Sequence, residues 1–156
     1  MIIPDINLLL YTYDAASPFH AKARAWWQKC LSGADMVGIP LPVVFGFVRI
    51  ATNPRVFRSP MSVAEVSGHV RSWLATSAVQ VLIPGVGHLE DVLKQLEHLG
   101  AAGNLVTDTQ IAAMALEHEA TLHTADTDFI RFPGLRWLNP LTGIGSHSLR
   151  KSGESK

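Results

Sequence analysis

Short apolar runs of strand length are separated along this chain by segments long enough to be helices, and no hairpin dipeptide joins one run to the next. Consecutive antiparallel strands need tight turns, so this spacing argues against a meander. It predicts an α/β fold: a three-layer sandwich in which a mainly parallel central sheet is flanked by helices. Residues 1–6 read as the first buried strand, and Asn7-Leu8-Leu9-Leu10-Tyr11 continues into a helical turn or two. Ser17-Pro18 reads as the N-cap and first turn of a helix in which Phe19, Ala23, Trp26, Trp27 and Leu31 recur at helical spacing, ended by Gly33. Met36–Ile39 is a short strand, and Pro42 starts a helix that runs toward Asn53-Pro54. Ser62 with Glu65 is a capping-box pair opening a helix to about Leu74. Val79–Ile83 is a β-branched strand, followed by an amphipathic helix from Gly87 to Leu99 that Gly100 stops. A helix over Thr107–Glu119, a strand over Thr121–Ala125 and a last strand over Leu135–Leu138 complete the pattern. After Pro140 the chain turns to glycine and serine, so the expected division is a folded domain over residues 1–141 and a flexible tail over 142–156. Gly145-Ser146-His147 reads as a vector-derived remnant without function.

Length and composition narrow the function classes. The 156 residues, 47% hydrophobic and 17% charged, suit one domain with a full core. A formal net charge of zero gives no global field for nucleic acid or membrane, so an anionic partner must be held by a local patch. Cys30 is the single cysteine, which excludes an internal disulfide and a zinc site of paired cysteines. Residues at the start read as a strand rather than as a basic, cleavable apolar leader, so no targeting segment is expected, and no apolar run reaches the ~20 residues of a spanning helix. The expectation is a soluble, cytoplasmic protein.

Four aspartates stand where such a fold places chemistry. Asp5 leaves the first strand, Asp126 and Asp128 close the strand that begins at Thr121, and Asp108 opens the alanine-rich helix before it. Ligands of open parallel sheets bind beyond the carboxyl ends of the strands. Carboxylates gathered there repel one another unless a cation joins them, and a hard divalent ion with oxygen ligands is the usual answer. Each aspartate also has a local reading: Asp5 as a helix cap, Asp108 as a partner of a helix dipole, Asp126 and Asp128 as turn residues.

At these residues the chain resembles the PIN-domain family, and within it the VapC-type toxins of bacterial toxin–antitoxin pairs. Ile3-Pro4-Asp5-Ile6-Asn7-Leu8-Leu9 is similar to the opening strand of the family. Asn104-Leu105-Val106-Thr107-Asp108, running into Gln110-Ile111-Ala112-Ala113, looks like the helix bearing its third acid. Thr124-Ala125-Asp126-Thr127-Asp128-Phe129, followed by Phe132-Pro133-Gly134-Leu135 and Asn139-Pro140, is similar to its closing stretch. The run from Phe47 through Arg49, Asn53-Pro54 and Arg55 to Phe57 looks like one toxin subfamily. The likeness spans residues 1–141 in order.

The resemblance implies an endoribonuclease dependent on Mg2+, or Mn2+, in which carboxylates hold one or two ions that bind the scissile phosphate and activate water, leaving 5′-phosphate and 3′-hydroxyl ends. It implies Asp5, Asp108 and Asp126 as catalytic ligands, with Asp128 as a further metal ligand; Asn7 and Thr107 read as hydrogen-bonded supports for the acids, a role compatible with helix capping. It also implies a VapB-like antitoxin laid across the helices, and a homodimer. One departure stands out. The family places a glutamate in the helix after its second strand, whereas residues 36–64 here contain no acid, and the expected place reads Val43-Val44-Phe45-Gly46-Phe47. Weaker metal affinity is the expected consequence.

The same acid-free stretch carries Arg49, Arg55 and Arg58, a local positive patch suited equally to RNA phosphates and to a partner protein. The histidines show no paired ligand spacing, and His123 reads as a packed strand residue. Trp26, Trp27, Phe45, Phe47 and Trp73 fit either a core or an exposed apolar face for a partner. Two alternatives stay open. One is a PIN-like module that binds RNA or a partner with little or no catalysis. The other is a phosphohydrolase or receiver-type domain, although the acidic pair on the first loop and the late lysine of a receiver are missing.

Overall fold

The computed structural model describes residues 1–57 and 59–146. Arg58 of the arginine patch, and residues 147–156 of the expected tail, lie outside the described residues.

The chain begins with β1 (Ile2–Pro4) and α1 (Ile6–Tyr13), then α2 (His20–Ser32), β2 (Val37–Pro40), α3 (Leu41–Ala51) and α4 (Val63–Leu74). It continues with β3 (Val79–Leu82), α5 (His88–Leu99), α6 (Leu105–Glu117), β4 (Thr121–His123), a 3₁₀ turn (Thr127–Arg131) and β5 (Trp137–Leu138). The five strands form one sheet in the order β3-β2-β1-β4-β5, and every neighbouring pair is parallel. The three-layer α/β architecture expected from the strand–helix alternation is therefore present.

Strand order and burial agree. β1 and β2 lie inside the sheet, and β2 is buried along its whole length. Ile3, Leu8, Leu9, Val37, Ile39, Val43, Phe47, Ile111 and Leu122 are fully inaccessible, so the core joins β1, β2 and β4 to α1, α3 and α6. Gly46 sets the approach of α3 to α1, because a Cβ there would stand 2.3 Å from Ile6 Cδ1. Of the aromatics whose exposure was open, Trp26, Trp27, Phe47 and Trp73 are core, while Phe45 is 64% exposed. No described helix is long and apolar enough to cross a membrane.

Several boundaries differ from expectation. Ser17 and Pro18 form a turn ahead of α2: the Ser17 hydroxyl accepts from Phe19 N–H, its carbonyl from His20 N–H, and the helix starts at His20. The helix carrying Asp108 starts at Leu105, two residues early, which puts the aspartate at the end of the first turn rather than at its opening. The capping box of Ser62 and Glu65 forms in full, and Gly100 closes α5 in the left-handed region at φ 63°. Residues 142–146 do not behave as a tail. Gly145 bridges Leu138 in antiparallel fashion, Asn139 N–H donates to the Ile144 carbonyl, and Trp137 N–H donates to Ser146 Oγ. Unpaired edge groups of β5 draw this segment back, a gain that composition alone does not reveal.

Candidate active site

The sheet order places the site. From β1 the chain moves outward through β2 to β3, then returns to lay β4 on the other flank of β1. The space beyond β1 and β4 is thus a topological switch point, where diverging connections leave a crevice. Pro4 pairs with His123, so Asp5 and Thr124 are the next residues out on adjacent strands. Asp5 N–H donates to the His123 carbonyl and extends the ladder by one step.

Asp5 is 3% exposed. Its backbone is extended and it N-caps α1, with Oδ1 accepting from Ile6 N–H at 2.7 Å. Its Oδ2 accepts from Thr124 Oγ1 at 2.7 Å, and the same hydroxyl accepts from Asp126 N–H at 2.9 Å. Thr124, 1% exposed, therefore ties the acid of β1 to the acid that follows β4. Asp126 caps the 3₁₀ turn through its contact with Asp128 N–H at 2.8 Å. Asp128 faces Arg131 at 3.2 Å, an ion pair with both side chains about half exposed. Such a pair contributes little stability, yet it gives Asp128 a cation of its own.

The electrostatics show which acids share the space. Burial pushes the Asp5 carboxyl up to about 7, the Thr124 hydrogen bond pulls the other way, and the charges of Asp108 and Asp126 raise it further. Asp108 rises to about 6 through burial and then through Asp126 and Asp128. The charges of Asp108 and Asp126 thus reach Asp5, and those of Asp126 and Asp128 reach Asp108, at one end of the sheet. Among the described residues no cation contributes to the shifts of Asp5 and Asp108, and Arg49 and Arg55 are exposed on and after the last turn of α3.

Oxygen donors, a negative field and incomplete solvation fit a hard divalent ion. Among the described residues, no three His, Cys, Asp or Glu side chains stand close enough to form a closed cage. Mg2+ does not require such a cage, since it keeps several of its waters and takes one or two carboxylates directly.

Asn7 and Thr107 are partly buried beside Asp5 and Asp108, but neither hydrogen-bonds an aspartate among the described residues. The supporting hydroxyl belongs to Thr124. Its local half, an oxygen two residues before the Asp126 N–H it accepts, follows from ordinary Ser/Thr turn chemistry. Its link to Asp5, 119 residues away, requires the sheet register. Tyr11 is a second residue that the motifs leave out. Its phenol is pushed up by burial and then by the charges of Asp5 and Asp126. His123 is a packed strand residue as expected: its Nδ1 accepts from Trp26 Nε1 at 3.0 Å, and burial lowers it to about 4.

Comparison with known proteins gives the arrangement a context. A sequence model described as the PIN domain matches residues 2–135. The chain is 46% identical over 141 residues to Ribonuclease VapC33 of Mycobacterium tuberculosis, covering 90% of this chain and 99% of that protein. Among solved structures it is similar to VapC20 of M. tuberculosis, described as a sarcin-ricin loop cleaving toxin, with a TM-score of 0.65 at 17% identity over 83% of this chain and 93% of the other. A toxin–antitoxin complex from Klebsiella pneumoniae contains a chain similar at a TM-score of 0.60 and 16% identity, covering 90% of this chain and 98% of that one.

Proposed function

This chain belongs to the PIN-domain family, and from that premise we infer that it is an endoribonuclease of the VapC type, the toxin of a toxin–antitoxin pair. The observation that carries the reading is the charge influence of Asp108 and Asp126 on the buried Asp5, and of Asp126 on Asp108, at the switch point of the sheet. Similarity to a named ribonuclease across nearly all of both chains supports it.

The proposed cofactor is Mg2+, with Mn2+ able to replace it. Asp5, Asp108 and Asp126 would hold it, and Asp128 would join them once freed from Arg131. Bound there, a divalent ion supplies an acidified water and a counter-charge for the phosphate. The residues of the chain do the positioning. Thr124 fixes the Asp5 carboxylate and the Asp126 backbone in one network, and the N-cap of α1 holds the other Asp5 oxygen. In RNA cleavage of this kind a water is the nucleophile, so the 2′-hydroxyl is not required and the ends are 5′-phosphate and 3′-hydroxyl. A VapB-like antitoxin, a homodimer and a cytoplasmic site of action complete the proposal. The missing glutamate leaves α3 with a buried apolar surface in its place, because Val43, Val44 and Phe47 are all core.

Replacing Asp5 or Asp108 by alanine is expected to abolish cation-dependent cleavage of RNA by the purified protein. Unchanged cleavage by both variants would overturn the mechanism, and a parent that binds RNA without cutting it would favour the non-catalytic reading.

A further inference from the structure

The corner between α1 and α2 carries features that the acidic site does not use. Tyr11 lies on the second turn of α1, four residues after Asn7 and on the same face. Helical side chains lean toward the N-terminus of their helix, so the Tyr11 ring reaches back toward the turn that Asp5 caps. The influence of Asp5 and Asp126 on its phenol agrees with that direction. Phe19 packs against Tyr11 with ring centroids 5.1 Å apart and a 45° tilt, and it remains 44% exposed. The Tyr11 carbonyl meets His20 Nδ1 at 3.0 Å, which pins the corner. Phe19 differs from Trp26, Trp27, Phe47 and Trp73, none of which exceeds 9% exposure. α2 then presents Lys22, one turn after Phe19, to solvent and contains no acidic residue.

A partly open aromatic pair near the acidic end of the sheet, with the cation Lys22 one turn after Phe19, matches what single-stranded nucleic acid requires: π-faces for the bases and positive charge for the backbone. We propose that Tyr11 and Phe19 form a stacking platform for a base next to the scissile phosphate of single-stranded RNA, with Lys22 meeting the adjacent phosphate. The proposal rests on the ribonuclease reading and adds a substrate-positioning surface to it. It also assigns phosphate contact to α2 rather than to the arginines of α3.

The test uses the full chain and a single-stranded RNA oligonucleotide containing 2-aminopurine, whose fluorescence is quenched by stacking. Binding is followed in chelator and cleavage in Mg2+. Phe19→Ala is expected to lose the quenching and raise KM about tenfold, in line with the stacking contribution of one base, with kcat within about twofold of the parent. Phe19→Trp should restore both, and Lys22→Gln should make binding less salt-dependent. Quenching and KM in Phe19→Ala within about twofold of the parent would refute the platform while cleavage by the parent stands. A parent that cuts nothing, but whose quenching Phe19→Ala removes, would refute the ribonuclease reading and leave the platform. A variant that changes only the affinity for an antitoxin peptide would assign Phe19 to a protein contact and refute the RNA role.

Discussion

One oxygen of the Asp5 carboxyl sits on the Ile6 N–H and the other on the Thr124 hydroxyl, while burial and the charges of Asp108 and Asp126 raise its pKa from 3.8 to about 7. The folded chain therefore holds this proton more tightly than the unfolded chain. The stability it contributes is full below pH 4 and is lost as pH rises toward 7. In chelator, Asp5→Asn is expected to stabilise the protein at pH 8 by roughly 2–4 kcal/mol while eliminating cleavage. The gap in Tm should close as pH falls toward 4, and a gap independent of pH would contradict the origin of the shift. Thr124 supports this acid through a bond of known length. Thr124→Val should lower activity about 10–100-fold and Thr124→Ser should keep most of it, as expected for a hydroxyl that orients a metal-binding carboxylate. Equal kcat/KM in the two variants would remove Thr124 from the site. The acids themselves are legible in the sequence because each ends an apolar run or lies in the first turn of a helix. Thr124 escapes because its link to Asp5 runs through strand register, which no local spacing encodes, whereas Tyr11 shares the helix that Asp5 caps and carries no acidic motif to mark it.

At the scale of the element, local chemistry decides most boundaries and packing decides the exceptions. The capping box at Ser62 and the glycine after α5 form as the sequence predicts, since both motifs satisfy backbone groups within a few residues. Ser17-Pro18 does not cap α2, because the chain turns there to bring Phe19 onto Tyr11 before the helix starts. The last described residues, 142–146, pair with β5 through contacts that a glycine- and serine-rich composition does not announce. In α3, Gly46 occurs where helix propensity alone favours alanine by about 1 kcal/mol. Its role is close approach, since an added Cβ would meet the buried Ile6 side chain. Gly46→Ala is therefore expected to destabilise by about 1 kcal/mol net, the overpacking outweighing the propensity gain. Adding Ile6→Val should recover part of that loss, with a coupling visible in a double-mutant cycle by urea denaturation. Additive losses would show that α3 and α1 do not compete for this space. The same packing explains why α3 carries no acid at Val43, Val44 or Phe47, each of them buried.

For the molecule as a whole, the parallel sheet gathers charge that it cannot neutralise alone. The order β3-β2-β1-β4-β5 forces the ends of β1 and β4 together, and α6 brings Asp108 to the same place. Repulsion is thereby concentrated at the acidic end of the sheet, and a ligand that relieves it stabilises the entire domain. At a hundredfold excess over its Kd, Mg2+ or Mn2+ is expected to add ~2.7 kcal/mol. For a chain of this length that corresponds to a rise in Tm of roughly 5–10 °C. The proton competes for the same oxygens, since binding requires deprotonated carboxylates. With Asp5 at about 7 and Asp108 at about 6, both acids are largely ionised at high pH and largely protonated at low pH. The rise should be large at about pH 8 and mostly gone at about pH 5.5, and Asp108→Asn should shrink it at the higher pH without reversing its sign. Differential scanning calorimetry with and without chelator measures all of these. An equal rise at both pH values, or one retained when Asp5 and Asp108 are both asparagine, would place the cation elsewhere and separate the acidic end of the sheet from the chemistry assigned to it.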